Sequence, residues 1–466
     1  METINREHPE YKAKAAMWKL YKDLYAGGEQ IRANATDYLL RRHKEPLEIY
    51  SERVNRVFYE NYIGSIVDWY AATLLRREPV LLFEGSDEAA KGFFNAFSED
   101  CDRKGTNLSE FMRQRFVEAL VWGRSYMAVD FPRVWAPAMN RAEEDASGRS
   151  RAYLVDYRPE EVINWSADPE GGLDWAVIRT SSLRPGAVTD TKWEQETRWV
   201  HYDREEYHIY RRLSDGGKIE LLDEGRHGLA GQRRVPLFEL RLSDGLWLMN
   251  KAALLQVEHF NKSNALAWAL TMGLFAMPVI YSDKDFKQVV GESYFIQLGK
   301  DDRFGWTEPG GNVYQVAAEN LARLKDEIYR VCYLMNQAGG REAASLAQSG
   351  VSKQRDFSIT QEVLRAYGDG LKETMKQVLR AIAEARQDAL TIDVSGIDEF
   401  DIGDFSTELE DAERLLRLGI PSETLKKQVF KKLAFKYLCD VRQEVKSTIA
   451  QEIEDGGRGT GLSGQQ

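Results

Sequence analysis

The sequence predicts an α+β protein, and three observations lead there. Long stretches near both ends carry apolar side chains every three or four residues. Only one block, Arg151 to Leu242, has short Tyr-, Val-, Ile- and Trp-rich runs alternating with Gly, Asp and Pro turns. A third stretch, Asn320 to about Asp388, has helical period broken once by Gly339-Gly340. Strands gathered in one block among helices belong to the α+β class, not to an alternating α/β chain.

Composition narrows the function classes. At 466 residues the chain is long enough for several domains, and with 43% apolar and 29% charged residues it has the material for a core. Eleven Trp and 21 Tyr suit large contacts between subunits as well as a core. Cys101, Cys332 and Cys439 stand far apart with no CxxC, which fits a reducing compartment and gives neither a disulfide framework nor a zinc site. The N-terminal METINREHPEYKAK lacks the apolar core of a signal peptide, so a cytoplasmic chain is expected. A net charge of −11 argues against a protein that grips phosphates over its whole surface, but permits local contact with DNA.

In order, residues 9 to 25 predict a helix closed by Gly27-Gly28, and Leu47 to Arg77 a second one ended by Pro79. Val80 to Phe83 reads as a strand and Ala89 to Phe97 as a helix. Asn107 with Glu110 resembles a capping box opening a helix to Trp122, and Gly123 ends it. Ser125 to Phe131 is a strand. The β block predicts antiparallel strands at Ala152–Tyr157, Trp175–Thr180, Arg198–Tyr202, Tyr207–Arg211, Ile219–Leu222 and Val235–Leu242. From Leu246 to about Met277 the chain is helical, with Leu254, Leu255 and Val257 set against Lys251, Glu258 and Lys262. A compact mixed segment runs to Ala318. Leu321, Leu324, Ile328, Val331 and Met335 then mark one face of a helix. After a loop from Arg341 to Asp356, Ile359, Val363, Tyr367, Leu371, Met375, Val378, Ile382 and Ala385 mark one face of a much longer one. Two further helices, the second lysine-rich, precede a Gly/Ser/Thr/Gln tail expected to be disordered.

Most motifs have a plain structural explanation. The tail's Gly459-Thr460-Gly461-Leu462-Ser463-Gly464 matches GxGxxG but has no strand before it and no helix after it to hold a pyrophosphate. Ser263 to Ser282 is uncharged for twenty residues, long enough to span a bilayer. It continues a charged amphipathic helix, contains Asn264 and Pro278, and has no second span, so burial between neighbours is favoured. His201 and His208 flank a turn, as expected of a strand surface. The eight carboxylates from Asp398 to Glu413 lack EF-hand spacing and read as a solvated face. No catalytic residue, metal ligand or cofactor site is named. Arg341, Lys353 and Arg355 are three cations in a glycine-bounded loop with no aromatic or amide side chains set to address base edges, a pattern for phosphate contact without base readout.

The order of elements from about Pro9 to Glu454 resembles a tailed-bacteriophage portal protein. The most specific stretches are Gln348-Ser349-Gly350-Val351-Ser352-Lys353, similar to the Ser-Gly at a portal tunnel loop, and Gly419-Ile420-Pro421-Ser422-Glu423-Thr424 with Glu444 and Glu452; Pro421 departs from the pattern. The resemblance implies a portal-like fold with a helical stem, a small mixed clip, an α/β wing and a C-terminal helical crown. Its boundaries would be wing 1–245, first stem helix 246–272, clip 273–318, second stem helix 319–338, tunnel loop 339–356, long wing helix 357–395, C-terminal crown or wing region 396–455 and tail 456–466.

The resemblance further implies a homo-oligomeric ring, usually a dodecamer, at one capsid vertex of the virion, assembled in the host cytoplasm. Its channel would pass double-stranded DNA during packaging and ejection. Its partners would be the large terminase subunit, head-completion or adaptor and tail proteins, and capsid and scaffold proteins, with no membrane and no catalysis of its own. Arg341, Lys353 and Arg355 would contact DNA. Leu254, Leu255, Val257, Trp268, Leu324, Ile328 and Val331 would form the subunit interface of the stem. Twelve copies would carry a charge on the order of −130, repelling the duplex so that it slides. Two alternatives stand beside this reading: a membrane-anchored or other structural scaffold using Ser263–Ser282, and a hydrolase using the 398–413 carboxylates.

Overall fold

The computed structural model describes residues 2–132, 143, 151–185, 193–213, 217–274, 277–281, 301–307, 311–334, 350–397, 405–438 and 441–455. Its helices are α1 (Pro9–Ala26), α2 (Gly28–Ala33), α3 (Ala35–Tyr38), α4 (Leu47–Asn55), α5 (Tyr62–Leu74), α6 (Glu88–Glu99), α7 (Leu108–Trp122), α8 (Leu248–Leu274), α9 (Gly311–Val331), α10 (Gly350–Arg386), α11 (Phe405–Arg417), α12 (Glu423–Tyr437) and α13 (Gln443–Asp455). Its strands are β1 (Val80–Glu84), β2 (Arg124–Asp130), β3 (Tyr153–Tyr157), β4 (Val162–Ala167), β5 (Leu173–Pro185), β6 (Trp193–Asp203), β7 (Glu206–Leu213), β8 (Glu220–Arg226), β9 (Leu237–Arg241), β10 (Met277–Tyr281), β11 (Arg303–Thr307) and β12 (Thr391–Ser395). The class is α+β, and the chain forms two units. The first comprises Met1–Lys22, Val67–Asn250 and Phe357–Gln466; the second comprises Asp23–Ile66 and Lys251–Asp356.

The first unit is built on sheets. β4 to β8 form an antiparallel meander, and β2 lies between β3 and β9 in a three-stranded antiparallel sheet. Alternate residues of a strand share a face. Thus Ala176 and Ile178 of β5, and Val200 and Tyr202 of β6, pack with Tyr126 and Ala128 of β2, Tyr157 of β3 and Leu237 of β9. α7 opens on Asn107, whose side chain accepts from the Glu110 N–H. It closes on Gly123 at φ 81°, where an added Cβ would stand 2.8 Å from the Trp247 ring. The last carbonyls of a helix have no partner within it. Here the indoles of Trp247 and Trp18 donate to the Val121 and Trp122 carbonyls, at 2.9 and 3.1 Å.

α10 runs for 37 residues, about 55 Å. In the first unit it buries Val363, Tyr367, Leu371, Met375, Val378 and Ile382, with the Tyr367 ring edge-on to Tyr70 and Phe116. Ile359, placed on the same stripe by period, is 50% exposed. The helix ends at Arg386, with Gln387 at φ 58°, rather than continuing to 395. Thr391 to Ser395 instead alternates exposed and buried residues and pairs with β1. Gln443, opening α13, closes its side-chain amide on both the N–H and the C=O of Leu81, at 3.2 and 2.7 Å.

Other differences from the sequence reading have local causes. β4 went unpredicted. The single helix expected over Leu47–Arg77 is two, α4 and α5, separated by residues 56–61. Side-chain amides hold that break open. Asn61 caps the second helix by accepting from the Gly64 N–H at 2.8 Å, while Gln256 and Asn264 take up backbone groups of Glu60 and Phe58. α9 begins at Gly311, inside the segment assigned to the clip, and ends at Val331, where Tyr333 turns left-handed at φ 62°. The described part of that clip segment is the antiparallel pair β10–β11 with the first turns of α9. α10 begins at Gly350, ahead of the expected start at Phe357: Val351 to Asp356 holds no Gly or Pro, and Lys, Gln and Arg favour helix. The tail 456–466 lies outside the described residues.

Candidate subunit interface

In the second unit, α8 departs from an ordinary amphipathic helix. After Leu248 and Met249, which are buried and belong to the first unit, its buried residues are Ala252, Ala253, Gln256, His259, Phe260, Ser263 and Asn264, small or polar side chains apart from Phe260. Leu254 is 77% exposed and shares its face with Glu258 and Lys262, which pair at 2.9 Å. Leu254 therefore lies with these charges rather than opposite them.

The amides of the polar stripe reach the backbone of Asp23–Ile66, while Ser263 bonds to the Phe260 C=O of its own helix. Asn264 accepts from the Phe58 N–H at 3.1 Å and donates to the Phe58 C=O at 3.0 Å. Gln256 donates to the Glu60 C=O at 2.8 Å. Asn261 accepts from the Leu40 N–H at 2.8 Å and donates to the Tyr38 C=O at 3.0 Å. Each amide thus satisfies irregular backbone that water or a helix ladder would otherwise serve. This is why a run with so few charges fits a folded chain: Ser263 and Asn264 are buried by their own unit, and Ala265 to Ala269 are half-buried. No helix among the described residues is long and apolar enough to cross a membrane.

His259 stands with Nε2 3.4 Å from a Glu60 carboxylate oxygen and its ring edge-on to Tyr62. Burial lowers its pKa, Glu60 opposes that only in part, and the imidazole is neutral at pH 7. The Lys251 ammonium lies over the Tyr333 ring and donates to its hydroxyl. Burial pushes the neighbouring Cys332 thiol up to about 12, so it packs as a thiol.

Outward-facing apolar residues complete the picture. With Leu254 they are Leu270 on α8 and Val313 and Val316 on α9, the last two 70% and 65% exposed. Of the residues expected at a stem interface, Leu255, Val257 and Val331 are half-buried, and Trp268 is half-buried beneath the Arg56 guanidinium. Leu324 and Ile328 are buried by the chain itself. Sequence reasoning missed Val313 and Val316, although their i,i+3 spacing after Gly311 was a usable signal.

The three cations expected to touch DNA fall at the start of α10 or outside the described residues. Lys353 and Arg355 belong to the first turns of α10, and Arg341 lies outside the described residues. Within the described part of the acidic cluster, Glu410, Asp411 and Glu413 are exposed and pair with Arg414 and Arg417 at helical spacing. No group of three or more His, Cys, Asp or Glu able to hold a metal occurs among the described residues. His201 and His208 stand opposite each other on β6 and β7, ring centroids 5.8 Å apart.

A family model described as "Domain of unknown function (DUF4055)" matches residues 249–384, which takes in α8, α9 and most of α10. No curated protein matches the chain. Among solved structures, the chain is similar to one from the neck of an empty gene transfer agent particle computed with C6 symmetry, at 15% identity and a TM-score of 0.41, covering 78% of this chain and 87% of that one. A chain of the virion of a native gene transfer agent particle is similar at 15% identity and a TM-score of 0.37, over 84% and 94%. A chain from the neck of the native particle computed with C12 symmetry is similar at 14% identity and a TM-score of 0.37, over 87% and 99%. None of the three reaches a TM-score of 0.5.

Proposed function

We propose that this chain is the subunit of a portal-type ring. In this reading it is a non-catalytic conduit for double-stranded DNA at one vertex of a phage-like virion, and a docking platform for the packaging motor and the head-completion proteins. The observation that carries the reading is the inversion in the second unit. Polar side chains of α8 are consumed internally, while Leu254, Leu270, Val313 and Val316 point to solvent from the helices that flank the β10–β11 insertion. Scattered exposed apolar residues are ordinary on a monomer. Four large ones on a helix–insertion–helix unit whose polar groups face inward are what repeated copies around an axis would cover. The net charge of −11 supports a passage that repels the duplex and lets it slide.

Mass photometry and negative-stain end views of the purified chain test this. The expected result is a ring with a hole wide enough for a duplex, abolished by Leu254→Asp with Val313→Asp while the far-ultraviolet circular dichroism is unchanged. A monodisperse monomer at micromolar concentration would overturn it.

A further inference from the structure

A second feature of the same unit lies between α3 and α4. Residues 41 to 44 read Arg-Arg-His-Lys, four consecutive basic side chains in an acidic protein, and all four are exposed. They form a tip held from behind on every side. The Glu45 N–H donates to the Arg42 C=O, and the Glu45 carboxylate accepts from the Arg42 N–H at 3.0 Å, closing the turn. Arg53 donates to both oxygens of that carboxylate, at 2.9 and 2.7 Å, with both side chains almost completely buried. The Arg41 guanidinium turns back onto the Glu45 C=O. The chain entering the tip is fixed to α8 by Asn261, through Tyr38 and Leu40, and to α4 by the Tyr50 hydroxyl on the Leu39 C=O. Burial raises the Glu45 pKa, but the Arg42 N–H and the Arg53 guanidinium outweigh it, so the carboxyl stays ionised below its ordinary range.

Lys44 sits at φ 63°, a left-handed conformation that is strained for a non-glycine residue. Glycine or asparagine would avoid that strain. A lysine there presents an ammonium from the apex at the expense of stability. Among the described residues, the side chains of Arg42, His43 and Lys44 make no hydrogen bond or ion pair. The nearest carboxylate, Glu45, is taken up by the Arg53 guanidinium and also feels the charge of Arg42; beyond it the nearest in sequence are Asp37 and Glu48, both exposed, and Glu52, which is paired with Arg56.

We infer that Arg42 and Lys44, with His43 between them, form a rigid tip that grips backbone phosphates of duplex DNA. Three residues span at most about 10 Å of chain, while a duplex offers one charge for roughly every 1.7 Å of its axis. The tip therefore meets phosphates at any register. It holds no Phe, Tyr or Trp and no amide to read a base edge, and phosphate contacts carry no sequence information, so the grip on the backbone is independent of sequence. An isolated cationic point on a repelling protein gives a weak, salt-sensitive grip that a moving duplex can break and remake. The inference rests on the conduit reading only in that duplex DNA must be at hand.

The test is fluorescence anisotropy of the full chain with a labelled random-sequence duplex of about 30 base pairs, as a function of salt, on protein whose oligomeric state is read in parallel by mass photometry. Each phosphate contact contributes about 0.9 to the salt slope, so losing one cation lowers affinity roughly tenfold at 0.1 M salt. Arg42→Glu with Lys44→Glu is expected to flatten the slope by about two per tip engaged, without dissociating the assembly. Lys44→Gly separates charge from conformation: it removes the strain, leaves Tm equal or higher, and still loses about one unit of slope. Lys44→Arg restores it.

Unchanged DNA binding in the double variant, with rings intact, overturns the tip and leaves the ring reading standing. Rings that fall apart in the double variant while DNA binding persists overturn it too, making the tip a contact to an acidic protein surface. A wild-type chain that binds duplex through the tip as a monomer supports the inference and counts against the ring.

Discussion

The two units solve the same problem with opposite materials. In the first, large apolar side chains are inside: Trp18, Tyr70, Phe94, Phe116, Trp199 and Tyr367 are all under 2% or at 2% exposed. In the second, amides and a histidine lie under α8 while leucine and valine face water. Two buried carboxylates report the contrast. Glu118, in the first unit, is pushed up to about 7 by burial, against the pull of Arg115 and Ser125. Glu45, in the second, is buried as deeply but held low by hydrogen bonds from Arg42 and Arg53. The balance between burial and hydrogen-bonding neighbours decides which way a carboxyl titrates: burial wins at Glu118, the neighbours win at Glu45. A unit held by directional bonds has its apolar residues left over for something else.

The comparison breaks or sharpens at four places. Phe116→Ala removes a fully buried ring packed on Tyr367 and is expected to cost about 3–5 kcal/mol, measured as a shift in the urea midpoint of the first unit. Next comes pH. The Glu118 carboxyl titrates near 4.5 unfolded and about 7 folded, so the folded chain holds the extra proton between those values. Stability present below pH 4.5 is therefore lost as pH rises to 7, by about 2–3 kcal/mol, and Glu118→Gln should flatten that fall. Glu45 has the reverse sign. Its pair stabilises above the ordinary carboxylate range and lets go on acidification, so amide exchange corrected for intrinsic rate should show residues 40–56 opening at low pH first.

Asn264→Leu conserves volume but strands the Phe58 N–H and C=O, at about 2 kcal/mol; a neutral result would mean that the amide clasp is not what holds α8. The smallest effect on stability is expected of Leu254→Ser, within about 0.5 kcal/mol in the unassembled chain, because that side chain touches mainly water. If it destabilises the monomer as Phe116→Ala does, the second unit is not inverted.

Much of this was legible in the sequence. The period-two block became the two larger sheets, and the stripe from Val363 to Ile382 became the buried face of α10. What escaped notice depended on distant partners. The break at 56–61 is held by Gln256 and Asn264, some two hundred residues away, and its one local signal is Asn61, the cap of the second helix. β12 looked like the tail of a helix because its pairing partner lies more than three hundred residues earlier. Leu254 was put on the wrong side because apolar periodicity assumes that a helix turns its leucines inward; the unit has an apolar interior at Ile31, Ile63, Ile66 and Ile328, but the buried face of α8 is made largely of small and polar side chains. The tip at 41–44 was visible as four basic residues, but only the Arg53–Glu45 pair behind it shows that it is held in place.

The bond between Gln443 and Leu81 has a consequence for synthesis. β1 emerges from the ribosome early, yet its strand partner lies at 391–395, and the amide that closes on its backbone sits at 443. At roughly 5–20 residues per second the nascent chain carries that unpaired strand for some tens of seconds. A polypeptide truncated before Gln443 keeps β1 and β12 but lacks the clamp on Leu81, so only a nearly full-length product has its first unit complete.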